Sequence, residues 1–386
     1  MGAQKTITVN IVNRDYPPYK GITGESAAEL ATYLLNAGFQ VNIIYVDAPF
    51  WGNSDCAPVG NIFKVKTFYN GQNKILRLFA NIVAGYFLIQ KSKKIPCDIT
   101  IVMTDPSLLN MWAAILLKRK KWILWTMDLY PETFVAWHLV SNNNFLYKKS
   151  YQLTVKNAPQ HIISLGPRQT DFLQKRYREK IDSFSCLPCG IYDESEYATS
   201  VTPQWAGDTA KTYLGYCGNL GAPHSLEFLY AIVDNLDTDK FKLILAVYGT
   251  KAQALKQYVQ DKKGIEVIPF VERAHLKYID IHIASLFPQC THISVPSKTV
   301  SSVCAGSAFL YYGSNESDNW VLLNKAGWLI PYGDDELKNN VVKFFQQFDI
   351  KQLERKKEAA REIALKLNTE KIKTFSSIAE YICNHY

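Results

Sequence analysis

Residues 6–46 read TITVNIVNRDYPPYKGITGESAAELATYLLNAGFQVNIIYV and contain a complete strand–loop–helix–strand unit. A β-rich run over 6–12 leads into a loop rich in proline and glycine, and a helical pattern over 25–37 follows. Gly38 is placed to end that helix, since glycine readily adopts the left-handed conformation at a helix C-terminus. A second strand is predicted over 41–46. This order predicts a parallel sheet with helices on its faces.

The same alternation of strands and helices continues along the chain. In the first half it predicts strands over 99–103, 122–126 and 161–165, with a helix over 107–117. In the second half the predicted strands are 212–216, 241–248, 265–268, 279–286, 308–312 and 328–330. A polar stretch over 192–208 separates the two series. We therefore predict an α/β protein with two Rossmann-like, doubly wound parallel-sheet domains that face a central cleft.

Composition and charge agree with two globular domains and indicate an anionic partner. The chain has 386 residues, of which 47% are hydrophobic and 20% charged, as expected for folded domains rather than a disordered tail. The formal net charge is +8. Residues 1–185 carry a net charge of +10, whereas the remainder carries −2. The first half is therefore expected to face an anionic surface or substrate.

The cysteines and the apolar segments exclude several classes of protein. Eight cysteines are scattered along the chain, which favours free thiols in a reducing cytosol over a disulfide framework. Cys186 and Cys189 form a C-x-x-C without a second pair at zinc spacing, so no metal site is predicted. The N-terminus lacks the apolar run of a signal peptide. No segment reaches about 18 uncharged apolar residues, so no transmembrane helix is predicted.

Two shorter apolar stretches have basic residues at their ends. The stretch 78–89 lies between Lys74 and Lys94, and the stretch 108–117 precedes the basic run 118–121. One interpretation is a pair of core helices, since lysine and arginine are common at helix C-termini. The other interpretation is a helix that lies on an anionic membrane.

Three loops that follow predicted strands hold residues suited to chemistry. In the first, Gly218-Asn219-Leu220-Gly221, backbone N–H groups could approach a phosphate, although a tight strand-to-helix turn also requires glycine. In the second, Pro296-Ser297-Lys298-Thr299 opens a helix. Ser297, Thr299 and free N–H groups could receive a diphosphate beside the Lys298 charge, although an ordinary helix start with a solvated lysine fits as well.

The third loop is Met127-Asp128-Leu129-Tyr130-Pro131-Glu132. A carboxylate at this position could orient or deprotonate an acceptor hydroxyl. Alternatively, Asp128 caps the helix that follows and Glu132 interacts favourably with its dipole. For Glu132 we favour this second, structural interpretation.

Four of these segments together resemble a known family. They are PPYKGITGESAAELATYLLNAGFQV, WILWTMDLYPE, YCGNLG, and VPSKTVSSVCAG followed by WLIPYGD. In this order they resemble the family 4 retaining glycosyltransferases with GT-B architecture, in their bacterial surface-polysaccharide branch. The resemblance implies an N-terminal acceptor-binding domain over 1–190, onto which a C-terminal helix over 368–386 packs back. It also implies a nucleotide-sugar-binding domain over 191–367.

The resemblance also assigns roles to individual residues. Asp128 lies on the acceptor side, and Lys298 approaches the phosphates; these two are the catalytic candidates. Gly21 and Gly24 line the cleft from the N-terminal side. The remaining candidates for donor binding are Gly218, Asn219, Gly221, Gly249, Phe270, Val271, Ser297, Thr299 and Asp318.

The sequence departs from the family at three places. Many members carry two glutamates at the positions of Ile293 and Ser301. A basic residue often stands at Ala222, and a histidine often stands at Met127. Lys298 and Asp318 could supply replacement contacts. Two alternatives therefore stay open: a catalytically weak glycosyltransferase-like partner subunit, and a sugar-nucleotide 2-epimerase of the same fold, whose acid–base candidates are Asp128, Glu132, His224 and His292.

The leading prediction is a hexosyltransferase of polysaccharide biosynthesis, building a capsule or exopolysaccharide. It would move a sugar with retention from a nucleotide-diphosphate donor, most simply a UDP-sugar, to a saccharide acceptor that is carried on a lipid. The protein is expected to be cytoplasmic and peripheral on the inner face of the plasma membrane, bound to its anionic surface. No cofactor, metal or nucleic-acid partner is predicted, and a homo-oligomer is left open.

Overall fold

The structure is a computed structural model that describes residues 6–48, 56–69, 71, 73–178, 180, 181, 183–197, 201–333 and 336–385. It divides the chain into two compact units. The first unit consists of Met1–Cys189 together with Lys371–Tyr386, and the second consists of Gly190–Glu370. Each unit is described by itself below.

The first unit is built on a parallel sheet of seven strands. They are β1 (Thr8–Val12), β2 (Gln40–Val46), β3 (Asn61–Val65), β4 (Ile99–Met103), β5 (Trp122–Trp125), β6 (His161–Ser164) and β7 (Phe184–Cys186). The strand order is β3-β2-β1-β4-β5-β6-β7, and every neighbouring pair is parallel. The chain order reverses between β1 and β4. In doubly wound sheets, ligands bind at the carboxyl ends of the strands beside such a switch point.

Among the described residues of this unit, six helices connect these strands. They are α1 (Ile22–Asn36), α2 (Lys74–Lys94), α3 (Leu109–Leu116), α4 (Glu132–Ala136), α5 (Phe145–Lys156) and α6 (Pro167–Arg176). Asn73 and Asn144 begin α2 and α5, because their side chains accept hydrogen bonds from the first free backbone N–H groups. A C-terminal helix spans Ile350–His385. Its last turns pack on α1, where Phe375 contacts Tyr33 at 5.6 Å between ring centroids.

The second unit contains a parallel sheet of six strands. They are β8 (Thr212–Asn219), β9 (Phe241–Tyr248), β10 (Ile265–Val267), β11 (Ile281–Ser285), β12 (Ala308–Gly313) and β13 (Gly327–Pro331), in the order β10-β9-β8-β11-β12-β13. Its helices are α7 (Leu226–Asp234), α8 (Ala252–Tyr258), α9 (Ser297–Cys304), α10 (Asp318–Leu323) and α11 (Leu337–Gln346). Short 3-10 turns lie at Glu194–Tyr197, Gln204–Ala206, Arg273–Tyr278, Pro288–Cys290 and Asn324–Ala326.

The prediction of two parallel α/β sheets is confirmed, with differences at their edges. Strands β3 and β7 were not predicted, because edge strands are partly exposed and lack the buried apolar run of the central strands. Helix α1 begins at Ile22 rather than at residue 25. All eight cysteines are free thiols. Of the helices that the structure describes, none is both long enough and apolar enough to cross a membrane.

Candidate active site

The carboxyl edge of the second sheet holds two loops whose shape requires glycine. Gly218, at the end of β8, has a φ of +116°, and a Cβ atom there would lie 3.3 Å from Cε of Lys298. Gly249, in the loop after β9, has a φ of +104°, and a Cβ atom there would lie 2.1 Å from Oδ1 of Asn219. Any side chain at Gly249 would therefore displace Asn219. The structure thus brings the two loops and Lys298 together.

Lys298 places a cation at this edge. Its Nζ lies 3.1 Å from Nε2 of His224 and 5.2 Å from the centre of the Tyr216 ring. Burial lowers the pKa of Lys298 to about 8. Burial also raises the pKa of the neighbouring Cys217 thiol to about 12, so this cysteine is a neutral neighbour. Lys298 is therefore an ammonium in a poorly solvated place, where an anionic ligand would be held strongly.

His224 was considered from the sequence as an acid–base candidate of an epimerase, and its surroundings define its protonation. Its Nδ1 lies 2.6 Å from the carbonyl oxygen of Ser285. A carbonyl only accepts, so Nδ1 carries the hydrogen and Nε2 is the acceptor that faces Lys298. Burial, followed by the nearby Lys298 charge, lowers the pKa of His224 well below its usual value. The imidazole is thus neutral.

A second lysine, which the sequence did not single out, supports the turn between the glycine loop and His224. Nζ of Lys251 donates to the carbonyl oxygens of Ala222 and His224, and it lies 4.9 Å from the centre of the Phe287 ring. Burial lowers the pKa of Lys251. The basic residue that the resemblance leads one to expect at Ala222 is missing, but Lys251 places a positive charge next to the backbone of the same turn.

The start of α9 completes this edge. Lys298 is the second residue of that helix, whose first N–H groups have no partner within the helix. The Thr299 hydroxyl is buried and donates to the Pro296 carbonyl oxygen at 3.1 Å. Its side chain is therefore occupied within the helix, and a contact with a ligand would use its backbone N–H. Ser297 is half-buried at the same helix start.

The other predicted donor-binding residues of the second unit differ in how far they are buried. Gly221 is next to the Asn219 side chain, because a Cβ atom there would lie 3.2 Å from Nδ2 of Asn219. Phe270 follows β10 and is 55% exposed. Val271 is buried in a hydrophobic cluster with Ile244 and neighbouring side chains. Asp318 is fully buried at the first turn of α10, a helix that packs on α9.

One Asp-x-Asp sequence, Asp237–Asp239, lies far from this edge. It occupies the turn between α7 and β9, at the amino ends of the strands, and Asp237 pairs with Lys240 at 3.3 Å. Within the described part of the chain, no three carboxylate, histidine or cysteine side chains gather into a group that could hold a metal ion.

The carboxyl edge of the first sheet carries a cluster of charged side chains. Arg14 follows β1, and its guanidinium lies 3.5 Å from Asp15 and 3.6 Å from Asp105, which follows β4. Tyr130 follows β5. Burial raises the pKa of its phenol, the charges of Asp128 and Asp105 raise it further, and Arg14 lowers it. Loops from three adjacent strands thus bring these residues together beside the switch point. Asp128 was predicted as a site residue, and Asp105 lies in the loop 104–106 after a predicted strand, where ligand-binding loops are expected. Arg14 and Asp15 were not predicted.

The loop that carries Asp128 is anchored by hydrogen bonds from side chains to its backbone. The carbonyl oxygen of Tyr130 accepts hydrogen bonds from Asn110 at 2.8 Å and from Arg176 at 2.7 Å. Asp128 is half-buried, and the N-cap residue of α4 is Pro131, whose side chain makes no capping hydrogen bond. The alternative that Asp128 caps α4 stays a prediction. Glu132 is buried and pairs with Arg176 at 3.2 Å, which supports the structural interpretation of Glu132.

Gly24 has a packing role that the sequence did not reveal. It lies within α1, and a Cβ atom there would approach the Asp15 carbonyl oxygen to 2.7 Å and Cα of Tyr16 to 2.9 Å. Only glycine lets α1 come this close to the loop after β1. A Cβ atom at Gly21 would lie 3.0 Å from Cβ of Asp15. Both glycines thus place the Asp15 loop on the edge of the sheet.

Asp15 makes the stability of the first unit depend on pH. Burial, opposed by Arg14 and reinforced by Asp105, raises the pKa of Asp15 to about 6. A carboxyl group with a raised pKa stabilises the fold at acid pH, and this contribution is lost as the pH rises through the folded-state pKa. Asp15→Asn should therefore increase the free energy of unfolding by about 1–3 kcal/mol at about pH 8 and change it little at about pH 4. Thermal unfolding at both pH values measures this. A variant that is less stable than wild type at about pH 8 would show that the Asp15–Arg14 ion pair dominates.

Comparisons with known proteins test the fold. No protein-family model matches the sequence, and no curated protein matches it. Among solved structures, sucrose-phosphate synthase from Thermosynechococcus elongatus superposes with a TM-score of 0.71 at 11% identity, covering 98% of this chain and 100% of that one. WaaG, a glycosyltransferase involved in lipopolysaccharide biosynthesis, superposes with a TM-score of 0.69 at 14% identity, covering 97% and 99%.

Anabaena HepE, crystallised with UDP and glucose, superposes with a TM-score of 0.66 at 13% identity, covering 98% of this chain and 100% of HepE. The similarity extends over both units and both sheets. The chain has the GT-B fold. The two GT-B sheets explain why the polar residues form two separate groups, one at each carboxyl edge.

Proposed function

We propose that this chain is a retaining glycosyltransferase that uses a nucleotide-diphosphate sugar. The observation that carries the proposal is the meeting of a glycine loop, a poorly solvated lysine and a helix start at one edge of the second sheet. Gly218 leaves room for a ligand to approach the backbone, while Lys298 and the first N–H groups of α9 offer positive charge. Backbone N–H groups and a lysine are the usual partners of phosphate oxygens.

A diphosphate bound at this edge would be the leaving group of the transfer. Charge develops on the diphosphate as the bond to the sugar breaks, and donors that are already oriented stabilise that charge most in the transition state. Lys298 and the N–H groups of α9 would supply this stabilisation. Anabaena HepE was crystallised with UDP and glucose, which supports a UDP-sugar as the first donor to test. We assign no protein nucleophile.

The acceptor would bind at the carboxyl edge of the first sheet. Asp128 would accept or orient the proton of the attacking hydroxyl, and Asp105 and Arg14 would bind neighbouring hydroxyl groups. We further propose membership of family 4 and a role in making a surface polysaccharide on a lipid-linked acceptor. The segments quoted above and the +10 charge of residues 1–185 support this. WaaG, which has the same fold, is involved in lipopolysaccharide biosynthesis.

A lipid-linked acceptor would require the first unit to approach a membrane. Helices that connect parallel strands run from the carboxyl edge of the sheet to its amino edge. The first turns of α2 and α5 therefore lie near the edge that carries Asp128. Large apolar side chains are exposed there, namely Phe68, Ile75, Leu76, Phe79, Phe145 and Leu146. We propose that this apolar rim touches the bilayer, and that the protein is peripheral on the inner face of the plasma membrane.

The basic run 118–121 lies at the opposite edge, between α3 and β5. Nζ of Lys120 donates to the Lys93 carbonyl oxygen at 3.3 Å, and Nζ of Lys121 donates to the His385 carbonyl oxygen at 3.0 Å. Helix α2 combines both interpretations of its apolar stretch 78–89, since Ala84 and Leu88 are buried in the core while Phe79 is 58% exposed. The contact with a membrane is therefore assigned to the apolar rim, with the basic run adding long-range attraction.

Sedimentation with vesicles tests this assignment. Wild-type protein should bind vesicles that contain phosphatidylglycerol. High salt should weaken this binding without abolishing it, because each basic residue near an anionic surface contributes roughly 1 kcal/mol and the apolar rim contributes at any salt concentration. A variant with Ile75→Ser and Phe79→Ser should lose most binding at both low and high salt. Changing 118–121 to serine should reduce only the salt-sensitive part. Unchanged binding of the Ile75 and Phe79 variant would contradict the apolar rim, and the absence of any binding would favour a soluble acceptor.

The activity itself is tested by incubating the protein with a panel of nucleotide sugars and a bacterial lipid extract. We expect release of the nucleoside diphosphate that depends on both the sugar nucleotide and the lipid. Release from one donor only, with a radiolabelled sugar entering the lipid fraction, would identify the substrate. Interconversion of sugar nucleotides without lipid would instead show an epimerase. Binding of no donor would favour a partner subunit.

A further inference from the structure

His224 connects three elements of the second unit. It precedes α7, donates from Nδ1 to the Ser285 carbonyl oxygen at the end of β11, and faces Lys298 of α9 with Nε2 at 3.1 Å. The imidazole is 6% exposed. The main chain of β11 therefore selects its tautomer, which places a lone pair opposite the lysine ammonium.

We propose that His224 is a positioning residue that holds the Lys298 ammonium in place for the diphosphate of the donor. The proposal rests on the proposed function, because it assumes that an anionic ligand reaches Lys298. An ammonium has three N–H donors. One is directed to Nε2 of His224, which leaves two for phosphate oxygens.

Because His224 is neutral, it accepts a hydrogen bond from Lys298 without cancelling the charge of the ammonium. No carboxylate in the described part of the second unit forms an ion pair with Lys298, which contacts an imidazole and the Tyr216 ring instead. A carboxylate would orient the ammonium but would also cancel its charge and repel a diphosphate. A neutral imidazole orients the ammonium and leaves the full charge for the ligand. Histidine at this place thus differs in function from an aspartate or a glutamate.

Several other titratable groups face this pair. Tyr216 and Cys217 come from β8, and Lys251 lies at the start of α8, where the charge of Glu227 from the first turn of α7 acts on it. Burial raises the pKa of both Tyr216 and Cys217, which keeps them neutral near pH 7. Lys251 adds positive charge, which further disfavours a protonated His224. The neutral state of His224 therefore persists to acid pH.

The arrangement predicts that binding of the donor is coupled to the uptake of protons. Free Lys298 loses its proton as the pH rises through about 8, while a bound diphosphate favours the protonated form. Affinity for a nucleoside diphosphate should therefore weaken as the pH rises above about 8, and binding there should take up protons. Below that range the affinity should stay level down to about pH 6, where the terminal phosphate of the nucleotide itself gains a proton. Protonation of His224 at still lower pH would remove the acceptor and add a like charge.

Calorimetric titration of the full chain with UDP, from about pH 6 to about pH 9, tests the proposal. His224→Leu removes the acceptor and should raise the dissociation constant about tenfold, with an altered pH dependence. His224→Gln keeps an acceptor oxygen and should recover most of the affinity. Measuring proton uptake in buffers of different ionisation enthalpy gives a readout that a merely structural role would not change. A long-range nitrogen–proton NMR spectrum of the wild type should show the Nδ1–H tautomer, whether or not the variants fold.

The outcomes separate this inference from the proposed function. Folded His224→Leu protein that binds UDP as wild type does, with the same pH dependence, would overturn the positioning role and leave donor binding intact. The same conclusion follows if His224→Gln is no better than His224→Leu while both fold, or if NMR shows the Nε2–H tautomer. If the wild type binds neither UDP nor any other nucleoside diphosphate, the proposed function and this inference both fail.

Discussion

Asp128→Asn is expected to lower turnover by about 100- to 10,000-fold while leaving the affinity for the nucleotide donor nearly unchanged. Asp128 is half-buried at the carboxyl edge of the first sheet, whereas the proposed donor contacts lie on the second unit. Besides burial, the negative charge of Asp128 raises the pKa of the Tyr130 phenol, on which Asp105 and Arg14 also act.

Initial-rate kinetics on a lipid-linked acceptor, together with calorimetric titration of the donor, would measure the two effects separately. Asp171→Asn is a matched control, because Asp171 is an exposed aspartate on α6 of the same unit, 3.8 Å from Arg168. It should keep full turnover. If Asp128→Asn also keeps full turnover, Asp128 does not act on the acceptor.

Lys298→Ala is expected to weaken donor binding by about 10- to 150-fold, which corresponds to the roughly 1.5–3 kcal/mol of a hydrogen bond to a charged group. The effect should be large because Lys298 is poorly solvated and is the cation beside Gly218. Turnover should fall as well, since the leaving diphosphate would lose a stabilising charge.

The matched control for this variant is Lys240→Ala. Lys240 is an exposed lysine of the second unit that pairs with Asp237 at the amino edge of the sheet. Its loss should change neither donor affinity nor turnover. A donor dissociation constant and a turnover that are both unchanged in Lys298→Ala would remove Lys298 from the site.

The fold could be predicted where strands are buried. All six strands of the second sheet were predicted, because each carries a short apolar run bounded by turn residues. The edge strands β3 and β7 lack such a run. The start of α1 was placed too late because Gly24 suggests an interruption, whereas it lies inside the helix and allows close packing on Asp15. That contact is tertiary and leaves no periodic signal.

The candidate site could be predicted only in part. The glycines after a predicted strand predicted the turn at Gly218. A proline followed by polar residues predicted the start of α9. The contact of Lys298 with His224 joins residues that are 74 positions apart, and no local pattern indicates it. The Arg14 cluster draws on three separate loops. Asp105 lies directly after a predicted strand, where ligand-binding loops are expected. Arg14 and Asp15 lie before the proline-rich segment that contains Gly21 and Gly24, the residues of this loop that were predicted to line the cleft.

The most direct test of the central claim is calorimetric titration of the purified chain with UDP and the other nucleoside diphosphates at neutral pH, for wild type and Lys298→Ala. The account predicts that one of these nucleotides binds to a single site and that Lys298→Ala weakens its binding by at least about tenfold. Binding of none of them, or binding that is equally tight in both proteins, would contradict a donor site at the carboxyl edge of the second sheet.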